Sequence, residues 1–335
     1  MHALTKHLSI SETSFLLDGE PFDLQGVSFF NALFNEEFCK SDESMLQYLG
    51  RFKEYGINMI RVWCQWDFYG ANGMFVDIKP GQASLYDRRG NLAETYWHRL
   101  SRLLLAADQL GMVVEVCALA RERYLIPEGE ELPYELIPYH ETAIKNLAVA
   151  LLPYRNVILQ IWNECSFEVL RYLNIIKSID DSRICTNSPG GAGVLGDDIQ
   201  NTLLDVLTPH TSRAGEANFW EQAANEVGYL LNRFGKPVID DEPARCGVLD
   251  HGGIPGGTQP WQHIEQMNKV RALGAYHLYH HDMFQNGYGH PSIPATGVPD
   301  PDKNAFHKEV FKAIMTRSAQ NPKTDNGGKN NEKNN

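Results

Sequence analysis

The chain has 335 residues, 43% of them hydrophobic, and a formal charge of −12 at neutral pH. That is ample material for a large core, and the acidic balance argues against nucleic acid or an anionic membrane surface as a partner, because phosphate binding needs clustered Lys and Arg. No run approaches the ~18 apolar residues of a membrane span, and the opening MHALTKHLSISETSF lacks the apolar core of a signal peptide. The expectation is a cytoplasmic protein as the chain stands, or a secreted or periplasmic one if a leader has been removed.

From the N-terminus, HLSISETSFLLDGEPFDLQGVSFF reads as a small hairpin turning at Asp18-Gly19, then a strand. Strands and helices alternate from there. ESMLQYLGRFKEYG is an amphipathic helix stopped by Gly56, and INMIRVW is the next strand. ETYWHRLSRLLLAADQLG stops at Gly111 and feeds MVVEVCAL. YHETAIKNLAVALLPY leads into NVILQIW, followed by the shorter strand candidates SRICTNS and LLDVLTP. FWEQAANEVGYLLNRFG precedes KPVIDDE, WQHIEQMNKVRALG precedes AYHLYHH, and KNAFHKEVFKAIMTR is the last helix.

Eight strand candidates joined by helices predict parallel strands with helical crossovers. A doubly wound sheet would carry a glycine-rich phosphate loop after its first strand, and GVSFFNALFNEEF has none. The expected fold is therefore an α/β (β/α)8 TIM barrel with a short N-terminal β-hairpin, spanning residues 1–318 as one domain. A polar tail over 319–335 is expected to be disordered. Six cysteines, none in a CxxC pair, are expected to be buried reduced thiols.

In NVILQIWNECSF an apolar run fit for a strand buried on both faces ends on Asn163 and Glu164. KPVIDDE ends on Glu242, with about 26 residues per β/α unit separating the two acids over three units, as a barrel requires. Catalytic groups of such barrels sit at the C-terminal ends of the strands. Two carboxylates across one barrel mouth are the minimal equipment for cleaving a glycosidic bond: one protonates the leaving oxygen, the other attacks or activates water. The bland alternatives are a helix-start carboxylate for Glu164 and a solvated acidic turn for Glu242; within the functional reading, Asp240 or Asp241 is an alternative to Glu242 as the working residue. Alternation along the strand predicts Asp240 on the same face as Glu242, one layer deeper.

With Asn163-Glu164, KPVIDDE and the Arg61 of GINMIRVW in order, the chain resembles the retaining glycoside hydrolases of clan A, including family-five cellulase-like enzymes. The resemblance runs from about Phe15 to Arg317. It implies Glu164 as acid/base, Glu242 as nucleophile, Arg61 as the cation steadying the nucleophile, and Asn163 as a ligand of the sugar 2-hydroxyl. It implies no cofactor and no metal; a catalytic metal through His280, His281 and Asp282 is disfavoured because LQGVSFF has no His-x-His. The chain departs from the family in three places. Arg121 and Arg123 stand where many members have a His after strand three. PHTSR keeps His210 but lacks the Tyr that would bond the nucleophile. YHLYHHDMF offers Tyr279, His281 and Phe284 in place of a platform Trp.

Aromatic faces for sugar C–H groups are expected at Trp63, Trp66, Phe68, Tyr69, Tyr124 and Trp220. The implied partner is an oligo- or polysaccharide or glycoside. A transglycosylase would use the same residues, and a non-catalytic carbohydrate-binding barrel would keep the cleft without the chemistry.

Overall fold

The computed structural model describes residues 4–65, 84–87, 89–120, 137–189, 195–212, 219–243, 257–281, 301–302 and 305–320. The N-terminal unit is a three-stranded antiparallel sheet, β1 (Leu8–Ser11), β2 (Ser14–Leu17) and β3 (Glu20–Pro21). Asp18 and Gly19, at φ of 57° and 83°, make the tight turn between the last two strands. The sequence reading had one hairpin here; the second turn, at Glu12 with φ 54°, adds the third strand.

The main body follows the alternation read from the sequence. β4 (Gln25–Ser28) leads through a 3-10 turn (Ala32–Phe34) to α1 (Glu36–Cys39) and α2 (Asp42–Glu54), then come β5 (Met59–Trp63), α3 (Glu94–Gln109) and β6 (Val113–Leu119). α4 (Ile137–Leu151), β7 (Val157–Trp162), α5 (Val169–Ile179), β8 (Ile184–Thr186) and α6 (Asp198–Leu203) continue the series. It ends with α7 (Phe219–Phe234), β9 (Ile239–Asp240), α8 (Pro260–Ala272), β10 (Tyr276–Tyr279) and α9 (Ala305–Gln320). Local rules account for the boundaries. In α2, Ser41 caps the Ser44 N–H, Met45, Leu49 and Phe52 bury one face, and Gly56 at φ 80° ends the run.

The seven strands pair in parallel in the order β8-β7-β6-β5-β4-β10-β9. The gap between β8 and β9 is filled by residues 205–208. Val206 N–H reaches the Cys185 carbonyl at 3.3 Å, and Leu207 bridges Val238 in parallel, which closes the ring of a (β/α)8 TIM barrel. The predicted strand LLDVLTP is thus shorter than expected, because Leu203 belongs to α6.

The barrel floor is apolar: Met59, Val113, Ile158, Val206 and Leu278 cluster with Phe15, Leu8 and Phe22 of the N-terminal sheet. Phe15 plugs the bottom, its ring 4.9 Å from that of Tyr276. Gly26 lets the walls approach here, since a Cβ would lie 2.6 Å from Leu278 Cγ. Cys39, Cys64, Cys117 and Cys185 are free thiols and, like Cys165, buried, as expected; Cys246 and the polar tail beyond Gln320 lie outside the described residues. Among the described residues no helix is long and apolar enough to cross a membrane.

Candidate active site

Above the apolar floor the lumen turns polar. Arg61, fully buried on β5, is its hub. Its Nη1 donates to Glu242 Oε2 at 3.0 Å, its Nη2 to Asn163 Oδ1 at 2.7 Å, and its Nε to Gln160 Oε1 at 3.0 Å. Asp241 Oδ2 lies 3.1 Å from the same Nε. The resemblance implied that Arg61 steadies the nucleophile candidate; the geometry adds that it also orients Asn163. With its oxygen on Arg61, the Asn163 amide turns its NH2 the other way.

Glu164 is mounted differently. It leaves β7 at φ 51°, a left-handed backbone that costs a non-glycine residue strain. The turn is held on both sides: Trp162 N–H donates to Asn187 Oδ1 at 3.0 Å, and Asn187 Nδ2 donates to the Cys165 carbonyl at 2.9 Å. The Glu164 side chain is 38% exposed, against 2% for Glu242. One carboxyl therefore meets solvent and the other is locked in the wall.

His210 stands between them. Its Nδ1 is 3.0 Å from Glu164 Oε1, and its Nε2 is 3.5 Å from Glu242 Oε2 and 3.4 Å from Asp241 Oδ1. One ligand atom from each of Glu164, His210 and Glu242 lies within 4.8 Å of the others. The structure therefore brings the two predicted carboxyls to one place, with the imidazole of His210 between them.

Burial dominates the titration of the deeper groups. It pushes the Glu115 carboxyl up to about 7 despite Arg61, and the Asp241 carboxyl up to about 8 despite Arg61 and His210. Burial alone would weaken the charge of Arg61, but Asp241, Glu242 and Glu115 together raise its pKa, so the guanidinium stays protonated.

Three expectations need correction. Asp240 does not share the face of Glu242: Thr211 Oγ1 and Gln266 Nε2 donate to it at 2.8 and 2.7 Å from the helix side. β9 ends at Asp240, so alternation stops there and both Asp241 and Glu242 turn to Arg61. Tyr279 is not a sugar platform. It is fully buried against α8 and α9, its hydroxyl 2.9 Å from His307 Nδ1 and its ring 6.0 Å from that of Phe311. His281, two residues on, faces the same way and packs on Phe306. His280 between them points into the lumen instead, its Nε2 3.9 Å from Glu242 Oε1 and its ring stacked on Phe30.

Trp63 flanks Phe30, and the Arg61 guanidinium lies 5.5 Å from its ring centroid. Trp220 pairs edge-on with Trp261 at the first turns of α7 and α8, and Trp261 is 52% exposed. Trp66, Phe68, Tyr69, Tyr124, Arg121, Arg123, Asp282 and Phe284 lie outside the described residues. The residues that sequence reading missed are Phe30, Glu115, Gln160 and Ser188, together with the lumen positions of Asp241 and His280.

No family model and no curated protein matches this chain. Solved structures do. A family 5 glycoside hydrolase mannosidase from Rhizomucor miehei aligns with a TM-score of 0.64 at 11% identity, over 95% of this chain and 99% of that one. A β-glucanase from Saccharophagus degradans, solved with cellotetraose, aligns at 0.63 and 15% identity over 93% and 94%. A family 5 glycoside hydrolase from Bacteroides vulgatus aligns at 0.60 and 20% identity, over 92% of this chain and 68% of that one. At these identities the likeness is one of fold: this chain has the barrel of the family-five glycoside hydrolase structures.

Proposed function

We propose that this protein is a retaining glycoside hydrolase, with Glu242 as nucleophile and Glu164 as acid/base. The observation that carries the reading is the pair itself. Two carboxyls from the ends of β7 and β9 approach within 4.8 Å, one exposed on a histidine and the other buried on an arginine. Carboxyl groups about 5–5.5 Å apart suit direct attack, whereas ~6.5–9.5 Å leaves room for a water between them.

Each neighbour has a task in such a reaction. Arg61 keeps Glu242 ionised and aimed. Glu242 attacks the anomeric carbon while Glu164 gives its proton to the leaving oxygen; Glu164 then takes a proton from the water that releases the sugar. His210, on Glu164 through Nδ1, orients the acid between the two steps. The Asn163 NH2 faces the sugar 2-hydroxyl. Trp63, Phe30 and His280 supply ring faces beside Glu242.

The fold neighbours act on β-linked glucans and mannans by their names, so cellotetraose and mannan oligosaccharides are the first substrates to try. The test is NMR of the first-formed product. A newly released reducing end with the anomeric configuration of the substrate is the expected result. Inversion would overturn the mechanism, and sugar binding by calorimetry without any turnover would favour a carbohydrate-binding barrel.

A further inference from the structure

Beneath Glu242 the barrel holds more acid than the reaction uses. Glu115 on β6 and Asp241 after β9 are fully buried and converge on the Nε side of Arg61, at 3.8 and 3.1 Å. Nη1 of the same guanidinium holds Glu242. The other titratable groups facing the pair are Cys117 on β6, whose thiol burial keeps neutral, and His210, 3.4 Å from Asp241 Oδ1. Gln160 Nε2 and Ser188 Oγ donate to Asp241 Oδ2 at 3.2 and 3.3 Å.

With every carboxyl ionised, the guanidinium would face three negative charges in the protein interior; even a protonated His210 would leave one of them uncompensated, and buried charge without a partner is strongly disfavoured. Among the described residues no donor reaches either oxygen of Glu115, so a charge there would be answered by the guanidinium 3.8 Å away. A fully buried carboxyl so placed is more stable as the neutral acid than as a second anion on the Nε side of Arg61.

We propose that Glu115 and Asp241 hold one proton between them, and that this proton keeps Arg61 seated on Glu242, making the two acids positioning residues for the nucleophile. The positioning half rests on the glycosidase reading; the shared proton does not. When the proton leaves, a second negative charge appears on the Nε side of Arg61. The guanidinium is drawn down toward it and its hold on Glu242 loosens. The effect falls on kcat more than on KM, because the geometry of attack changes and the sugar contacts do not.

The stability consequence has a definite sign. Both carboxyls are raised in the folded state above the ordinary carboxylate range near 4. Below that range folded and unfolded chains are equally protonated and the pair is harmless. Between about 4 and about 8 the folded chain alone keeps the proton, so stability falls as pH rises and then levels off.

Glu115→Gln mimics the protonated side chain permanently and removes the titration. The thermal midpoint of Glu115→Gln minus that of the unaltered protein should grow by at least about 2 °C between pH 5 and pH 8. The alkaline fall of kcat should move up by about one pH unit in the variant. A midpoint difference that stays flat with pH overturns the shared proton. A difference that grows while the kcat profiles superimpose overturns the positioning role. If no glycoside is turned over at all, the glycosidase reading fails while the thermal comparison still decides the proton. Asp241→Asn, measured the same way, gives the same answer should Glu115→Gln not fold.

Discussion

The floor and the ceiling of the barrel lumen are built from opposite materials. Below, Phe15 of the N-terminal sheet plugs a ring of aliphatic side chains with no charge among them. Above, one arginine binds together Glu115, Gln160, Asn163, Asp241 and Glu242. Apolar burial stabilises at roughly 25 cal/mol per Å², whereas replacing a buried ion cluster with apolar groups is often neutral or favourable. The floor therefore holds the fold, and the ceiling holds acids in place at some cost to it. Substitutions in the two layers should separate stability from chemistry.

The strongest test is at the ceiling. Glu242→Ala should lower turnover on the order of 10⁴-fold or more, since removing a nucleophile removes the step itself. Glu164→Gln should lose about 10²–10⁴-fold, and less with an activated aryl leaving group that needs no proton. Both measurements are steady-state rates on one accepted glycoside. Full activity in either variant would break the assignment.

At the floor, Phe15→Ala should cost about 3–5 kcal/mol in denaturant unfolding, the usual loss for emptying a fully buried aromatic site. Its kcat, measured well below its melting temperature, should be that of the unaltered protein. A large loss of kcat without loss of stability would mean that the two layers are not separable.

The same contrast explains what was legible beforehand. The floor and the strand rhythm follow from apolar patterning, which sequence carries openly. Asn163-Glu164 stood out because a buried strand ended on polar groups, and Glu242 because a second strand did so three units later. Asp240 and Asp241 were harder to tell apart. Alternation places residues only while the strand lasts, and the hydrogen bonds from Thr211 and Gln266 that hold Asp240 come from distant segments. Glu115 did leave a signal: an acid in the middle of MVVEVCAL, a strand buried along its whole length. Its meaning depended on Arg61 and Asp241 facing it, which is tertiary information.

The smallest effect separates neighbouring residues where β10 ends. Tyr279 and His281 were expected to meet the sugar, yet the rings of both pack on α8 and α9. Tyr279→Phe should therefore cost about 0.5–1.5 kcal/mol, one hydrogen bond to His307, and leave KM unchanged. His280→Ala should do the reverse: its ring stacks on Phe30 and its Nε2 is 3.9 Å from Glu242, so turnover and sugar affinity should fall. If Tyr279→Phe raised KM while His280→Ala did not, the side chain at the end of β10 that meets the substrate would have been assigned the wrong way round.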